Sequence, residues 1–137
     1  MAHASRLLAL TVPAFVLALA ACGLSGPAHG PASTTAGATV TMGFASFEPE
    51  TIHVKAGQTV EFRNTALITH SATDDAKLAE DQKDAAVPNG ATPFSSGDIA
   101  PGQIFSQTFT QPGTYSYFCT HHEGDGMVAT VIVDPAS

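Results

Sequence analysis

The chain has 137 residues, 44% of them hydrophobic, and a formal net charge of −7 from 12 acidic against 5 basic residues. That length supports one compact domain, shortened further by any targeting segment the chain carries. The acidic balance gives no electrostatic support to nucleic-acid binding, which depends on neutralising phosphates with Lys and Arg, and it favours a partner with a basic face.

Residues 1–21 place Arg6 ahead of an apolar run that begins at Leu7 and is interrupted by Pro13. The run is short for a bilayer-spanning helix and reads as an export signal peptide. It ends in Leu19-Ala20-Ala21-Cys22, which resembles the bacterial lipobox, where cleavage precedes the cysteine and its sulfur is lipidated. An ordinary signal peptide with an incidental Cys22 is the alternative. The lipobox reading implies an extracytoplasmic protein, in the periplasm or at the cell surface, that touches the membrane only through its lipid anchor. Residues 22–37 are mostly Gly, Pro, Ser, Thr and Ala, a tether with too little apolar surface to fold.

The body, residues 38–137, is all-β in pattern. Segments 38–47, 51–55, 59–63, 68–73, 103–110, 114–119 and 127–133 are short, rich in Val, Ile, Thr, Phe and Tyr, and separated by Gly, Pro or Asn. They predict an antiparallel β-sandwich of about seven or eight strands. Alternation turns Ile52, Val54, Val60 and Phe62 inward and His53, Lys55, Thr59, Glu61 and Arg63 outward, which makes His53 a surface residue. The same alternation puts Tyr115, Tyr117 and Cys119 on one face, with Ser116 and Phe118 opposite, and joins Met127 to Ala129, Val131 and Val133. Cys119 and Met127 therefore point into the sandwich from successive strands.

Between 74 and 98 the strand pattern stops. Helix-forming residues over 75–86 predict a short helix or loop insertion near 75–90, broken by Pro88 and Asn89-Gly90. Its charges, Asp74, Asp75, Glu80, Asp81 and Asp84 against Lys77 and Lys83, suit a solvated connection or an acidic docking patch for a basic redox partner.

Of the two cysteines, Cys22 falls in the leader, so Cys119 has no structural disulfide partner and reads as a buried inert thiol or a metal ligand. The stretch around it, TYSYFCTHHEGDGM over 114–127, supplies a thiol, two adjacent histidines and Met127, with His70 upstream. Thiolate, imidazole and thioether together suit Cu(I) and Cu(II) alike, whereas zinc gains little from a thioether. One copper ion per chain is the expectation. Neighbouring side chains of an extended loop diverge, so only one of His121 and His122 can aim at a metal held by Cys119.

The segment YFCTHHEGDGM resembles the copper loop of the cupredoxins, the small blue copper proteins. Its Cys-x-x-His-x-x-x-x-Met spacing is similar to that of plastocyanin and pseudoazurin and longer than the amicyanin loop. FEPETIHVKAGQTVEFRNTALITHS likewise resembles the family's first half, with Gly57 at a turn, Asn64 after a strand and His70 in the place of the first histidine ligand. The resemblance implies a Greek-key sandwich, the metal ligands His70, Cys119, His122 and Met127, and outer-sphere electron transfer through the exposed edge of His122. The chain departs from the pattern at Ser71, where Asn is common, at Phe118, where plastocyanin has a tyrosine, and at His121, where a proline commonly precedes the second histidine.

The function expected from these features is a monomeric one-electron carrier between redox partner proteins at the outer side of a membrane, and not an enzyme. A truncated copper oxidase or nitrite reductase would need a second histidine-rich centre, and the body offers only His53 and His121 beyond the proposed ligands. Copper storage or delivery remains open, with the lack of Met-rich or His-rich tracts favouring the carrier.

Overall fold

The computed structural model describes residues 37–137; the expected signal peptide, Cys22 and the tether lie outside the described residues. Among the described residues seven strands form, β1 (Ala38–Met42), β2 (Phe47–Glu48), β3 (Thr51–Lys55), β4 (Thr59–Asn64), β5 (Ile104–Thr108), β6 (Gly113–Phe118) and β7 (Val128–Asp134). One sheet runs β2-β1-β4-β5 and the other β3-β7-β6. The sequence predicted an antiparallel sandwich, but both sheets are mixed: β1 lies parallel to β4, and β3 parallel to β7. Alternation gives each strand's faces but says nothing of its direction, which is settled by how the connections cross between sheets.

The face assignments hold wherever a strand is solvated on its outer side. Ile52, Val54, Val60, Phe62, Tyr115, Tyr117, Ala129, Val131 and Val133 are all buried in the core, and His53 and Lys55 are exposed. An aromatic cluster fills the space between sheets, with Tyr117 edge-on to Phe47 at 4.7 Å and to Phe62 at 5.3 Å between ring centroids. Edge-to-face packing of this kind adds about 0.5–1.5 kcal/mol per pair to the burial of the rings.

Two residues expected on the outside are buried. Glu61 is only 2% exposed because β4 lies between β1 and β5, where Thr39 and Ser106 stand in register with it, and it takes a hydrogen bond from Arg63 Nη2 at 3.4 Å. Phe118 is covered because the connection after His70 runs along the free edge of β6, bridging Thr73 to Phe118 and Ala86 to Ser116.

Segment 68–73, expected as a strand, forms only isolated bridges, His70 to Ile99 and Thr73 to both Ser95 and Phe118. Residues 70–74 are buried throughout, so this piece crosses the end of the sandwich between the sheets instead of laddering along either one. Of the short helix or loop insertion expected near 75–90, a loop forms, with one 3-10 turn at Gln82–Asp84 capped by the Asp81 side chain, which accepts from Lys83 N–H at 3.1 Å. No residue from 75 to 84 is buried, and a helix without a face to bury is marginal at this length. The insertion is therefore a loop, and it lies beside the end of β6 that carries Cys119.

Candidate metal centre

Cys119 follows β6, whose alternation delivers its sulfur to the core, and the residue is fully buried. The chain then turns tightly. His122 N–H donates to the Cys119 carbonyl at 3.1 Å, Met127 N–H donates to the His122 carbonyl at 3.0 Å, and Cys119 N–H donates to the Met127 carbonyl at 3.0 Å. A 3-10 turn at Glu123–Asp125 and a left-handed Gly126, φ 84°, complete the reversal into β7. These bonds set Met127, also fully buried, beside Cys119 at the start of the next strand.

His70 arrives from the other half of the chain. Asn64, buried at the end of β4, donates from its amide to the carbonyls of Ile68 and Ile99, both at 2.8 Å, and accepts from Ala66 N–H at 2.9 Å. The loop is thereby folded back so that His70 pairs with Ile99 and enters the same end of the sandwich. The Nδ1 atoms of His70 and His122 lie 3.7 Å and 3.6 Å from Cys119 Sγ. All three donor atoms fall within 4.8 Å of one another.

That spacing fits a metal ion. Metal–nitrogen and metal–sulfur bonds of about 2.0–2.1 and 2.3 Å, opened to a trigonal angle, would separate N from S by about 3.8 Å. Burial first, then the neighbouring His122 imidazole, and more weakly His121, hold the His70 pKa below 6.5. The Gly43 backbone lies close enough to oppose this, although His70 Nε2 makes no hydrogen bond of normal geometry among the described residues. A neutral imidazole at physiological pH keeps a lone pair for a metal.

The sulfur also has a local donor. Ser71 N–H points at Cys119 Sγ from 3.3 Å and helps fix where the sulfur sits. The Ser71 hydroxyl accepts from Thr120 N–H at 2.9 Å and bonds the Thr120 hydroxyl at 2.9 Å. Serine in place of the family's common Asn thus ties the His70 segment to the residue after the cysteine.

Of the two adjacent histidines, His122 faces the sulfur and His121 does not. His121 is exposed, and its Nε2 lies 2.8 Å from Asp98 Oδ1. His53 stands apart, paired with Asp134 across 3.6 Å on the exposed edge of β3. Sequence reasoning missed Asp98 and Glu123, whose buried carboxylate accepts from Glu80 and Asp81 N–H at 2.8 and 2.9 Å. Only the acidic residue next to a proposed ligand could have hinted at Glu123.

The model of the copper-binding proteins of the plastocyanin/azurin family matches residues 34–134. The chain belongs to that family. A plastocyanin of Lactuca sativa is 38% identical over 90 residues, covering 64% of this chain and 87% of that one. The chloroplastic plastocyanin of Chlamydomonas reinhardtii is 36% identical over 121 residues, covering 85% and 77%. The chain spans about half, 54%, of the chloroplastic plastocyanin of Hordeum vulgare, to which it is 42% identical. Among solved structures, a reduced amicyanin mutant superposes with a TM-score of 0.60 at 27% identity, covering 76% of this chain and 87% of that one. A second reduced amicyanin mutant gives 0.62 at 25%, covering 80% and 95%. The cofactor of this cupredoxin is copper, and His70, Cys119, His122 and Met127 are positioned to form its site; the chain is a blue copper electron carrier.

Proposed function

We propose that His70, Cys119, His122 and Met127 are the copper ligands, and that the protein shuttles single electrons between redox partners outside the cytoplasm while lipid-anchored through Cys22. The observation that carries the reading is the convergence of two imidazole Nδ1 atoms on one buried sulfur at 3.6 and 3.7 Å. Bound copper supplies a one-electron couple there, stabilised in both states by mixed soft and borderline donors. The chain's part is to hold those donors where they are before and after transfer, and to keep water from the sulfur. Asn64, Ser71 and the backbone bonds of the 119–127 loop do the holding.

His122 is the one of the three clustered donors that reaches solvent, being half-buried where His70 and Cys119 are enclosed. Its edge is the proposed route for the electron. Phe44, 80% exposed, and Leu67, 93% exposed, stand near the His70 end of the sandwich, where Thr65 N–H reaches the Met42 carbonyl at 3.2 Å and joins their two loops. They offer an apolar contact for partner proteins. The carrier role gives the chain no substrate to turn over, and the proposed carrier is not an enzyme and acts as a monomer. Among the described residues no helix is long and apolar enough to cross a membrane, so the proposed attachment rests on Cys22 and its lipobox.

The test is the visible spectrum of copper-loaded protein. An intense copper–thiolate band that survives His121→Ala and disappears in His122→Ala and Cys119→Ala is the expected result. A colourless Cu(II) form, or loss of the band in His121→Ala alone, would overturn the assignment.

A further inference from the structure

Glu123 follows His122 directly, and its side chain does not turn to solvent: the residue is 6% exposed. A buried carboxylate is costly unless its oxygens find donors. Here each oxygen takes one of two successive backbone amides, Oε2 from Glu80 at 2.8 Å and Oε1 from Asp81 at 2.9 Å. The Glu80 carboxylate in turn lies against Gly124, 3.8 Å from where a side chain there would begin. The amides belong to the loop from 75 to 84, which buries none of its own residues. Its flanks are fastened elsewhere, at Asp74 with Phe94 and at Ala86 with Ser116.

Seen from the ligand loop, His122 sits between two outside anchors. Two residues earlier, Thr120 is tied to Ser71. One residue later, Glu123 is tied to the 80–81 backbone. The His122 carbonyl meanwhile accepts the amides of Asp125 and Met127 at 3.1 and 3.0 Å, so any drift of Glu123 is passed to the backbone of the proposed ligand. His70 has its own restraint through Asn64 and the pairing with Ile99.

We infer that Glu123 is a positioning residue for His122: its carboxylate clamps the acidic 75–84 loop to the ligand loop and sets the imidazole against the Cys119 sulfur. This deepens the copper-site reading and rests on it. One consequence is that the loop and the metal centre are mechanically joined. A contact that pulls on 80–81 acts on His122 through two charge-assisted hydrogen bonds instead of through many weak ones.

The test uses Glu123→Gln, whose amide can accept only one of the two N–H groups and sets its own NH2 against the other, and Glu123→Asp, which keeps the charge but shortens the reach. In the copper-free full chain, hydrogen exchange of the Glu80 and Asp81 amides should accelerate about tenfold or more in both variants, the value of a charge-assisted bond. The Asp125 and Met127 amides should follow. In the copper-loaded chain the reduction potential should rise in both variants and the thiolate band should shift, because a loosened imidazole is lost to Cu(II) more than to Cu(I), which keeps the soft donors. A rise in Glu123→Gln with none in Glu123→Asp would mean that charge alone acts, and would overturn the positioning role. Unchanged exchange at Asp125 and Met127 would overturn it too. Should Glu123→Gln fail to unfold cooperatively, Glu123→Asp carries the same readouts alone, and identity with the parent chain sinks the inference. A parent chain that shows no blue band refutes the copper reading instead, while the copper-free exchange data still report on the clamp.

Discussion

Asp74 is the buried acid whose removal has the clearest consequence. It is 2% exposed; Oδ1 accepts from Phe94 N–H at 2.7 Å, and Oδ2 has no partner among the described residues. Burial first, with a smaller push from Asp75 and against hydrogen bonds from Phe94 and its own backbone, raises its pKa from 3.8 to about 7. A shift of that size corresponds to about 4 kcal/mol. Because the folded pKa lies above the unfolded one, the folded state holds the proton more tightly. Stability is thus complete below pH 3.8 and is lost as pH rises through about 7.

Asp74→Asn removes this dependence and adds a constant cost of about 1–3 kcal/mol for an amide placed where Oδ2 stands without a partner. The informative quantity is therefore the difference between variant and parent measured by urea unfolding of the copper-free chain at pH 4 and again at pH 8. It should swing in favour of the variant by about 4 kcal/mol across that interval. His70 works in the opposite sense, since its lowered pKa gives stability that is present above 6.5 and lost as pH falls, but it is common to both chains and cancels. A swing smaller than about 1 kcal/mol would refute the account of Asp74 as a buried acid stabilised by its proton.

Asn64→Ala removes the donors to the Ile68 and Ile99 carbonyls and the acceptor for Ala66 N–H, which frees the loop before His70 although Ile99 still accepts from His70 N–H, with an expected loss of about 2–4 kcal/mol by urea unfolding and faster release of copper to a chelator. Ser71→Ala leaves the N–H to Cys119 Sγ in place but takes the acceptor from Thr120 N–H, so the blue band should persist while stability falls by about 1 kcal/mol. Tyr117→Phe removes a buried hydroxyl that has no partner among the described residues, and should raise the unfolding midpoint by the equivalent of about 1–2 kcal/mol. Gly113→Ala meets Pro88 Cγ at 2.6 Å and must hold φ at 137°, so it should cost about 1–3 kcal/mol, again by urea unfolding, whereas a neutral result would mean that Pro88 moves aside easily.

The proposed copper donors were legible in the sequence for two different reasons. Period-two alternation is a local property of the backbone, so it placed Cys119 and Met127 inward from their own strands, as it did Ile52, Val54, Val60 and Phe62. The soft-donor chemistry and the loop spacing then pointed to copper and to His122. Neither reason reaches across the chain. That His70 meets Cys119 at 3.7 Å depends on Asn64 folding the loop back and on Ile99 pairing with it from elsewhere.

Failures of the sequence reading have one physical origin. A strand's outer face is solvated only if nothing else packs there, so Glu61 and Phe118, set opposite the core-facing residues of their strands, are buried all the same, Phe118 beside the bridges from Thr73 and Ala86. A helix forms only if its apolar stripe finds a surface, so of the short helix or loop that the sequence allowed near 75–90 the loop is what forms. Strand direction, the Asp98 contact to His121 and the Glu123 clamp arise between segments far apart in the chain. Composition and spacing determined the kind of metal centre this protein carries; the pairing of distant segments decided how its ligands are held, because side chains acquire partners only when the sheets close.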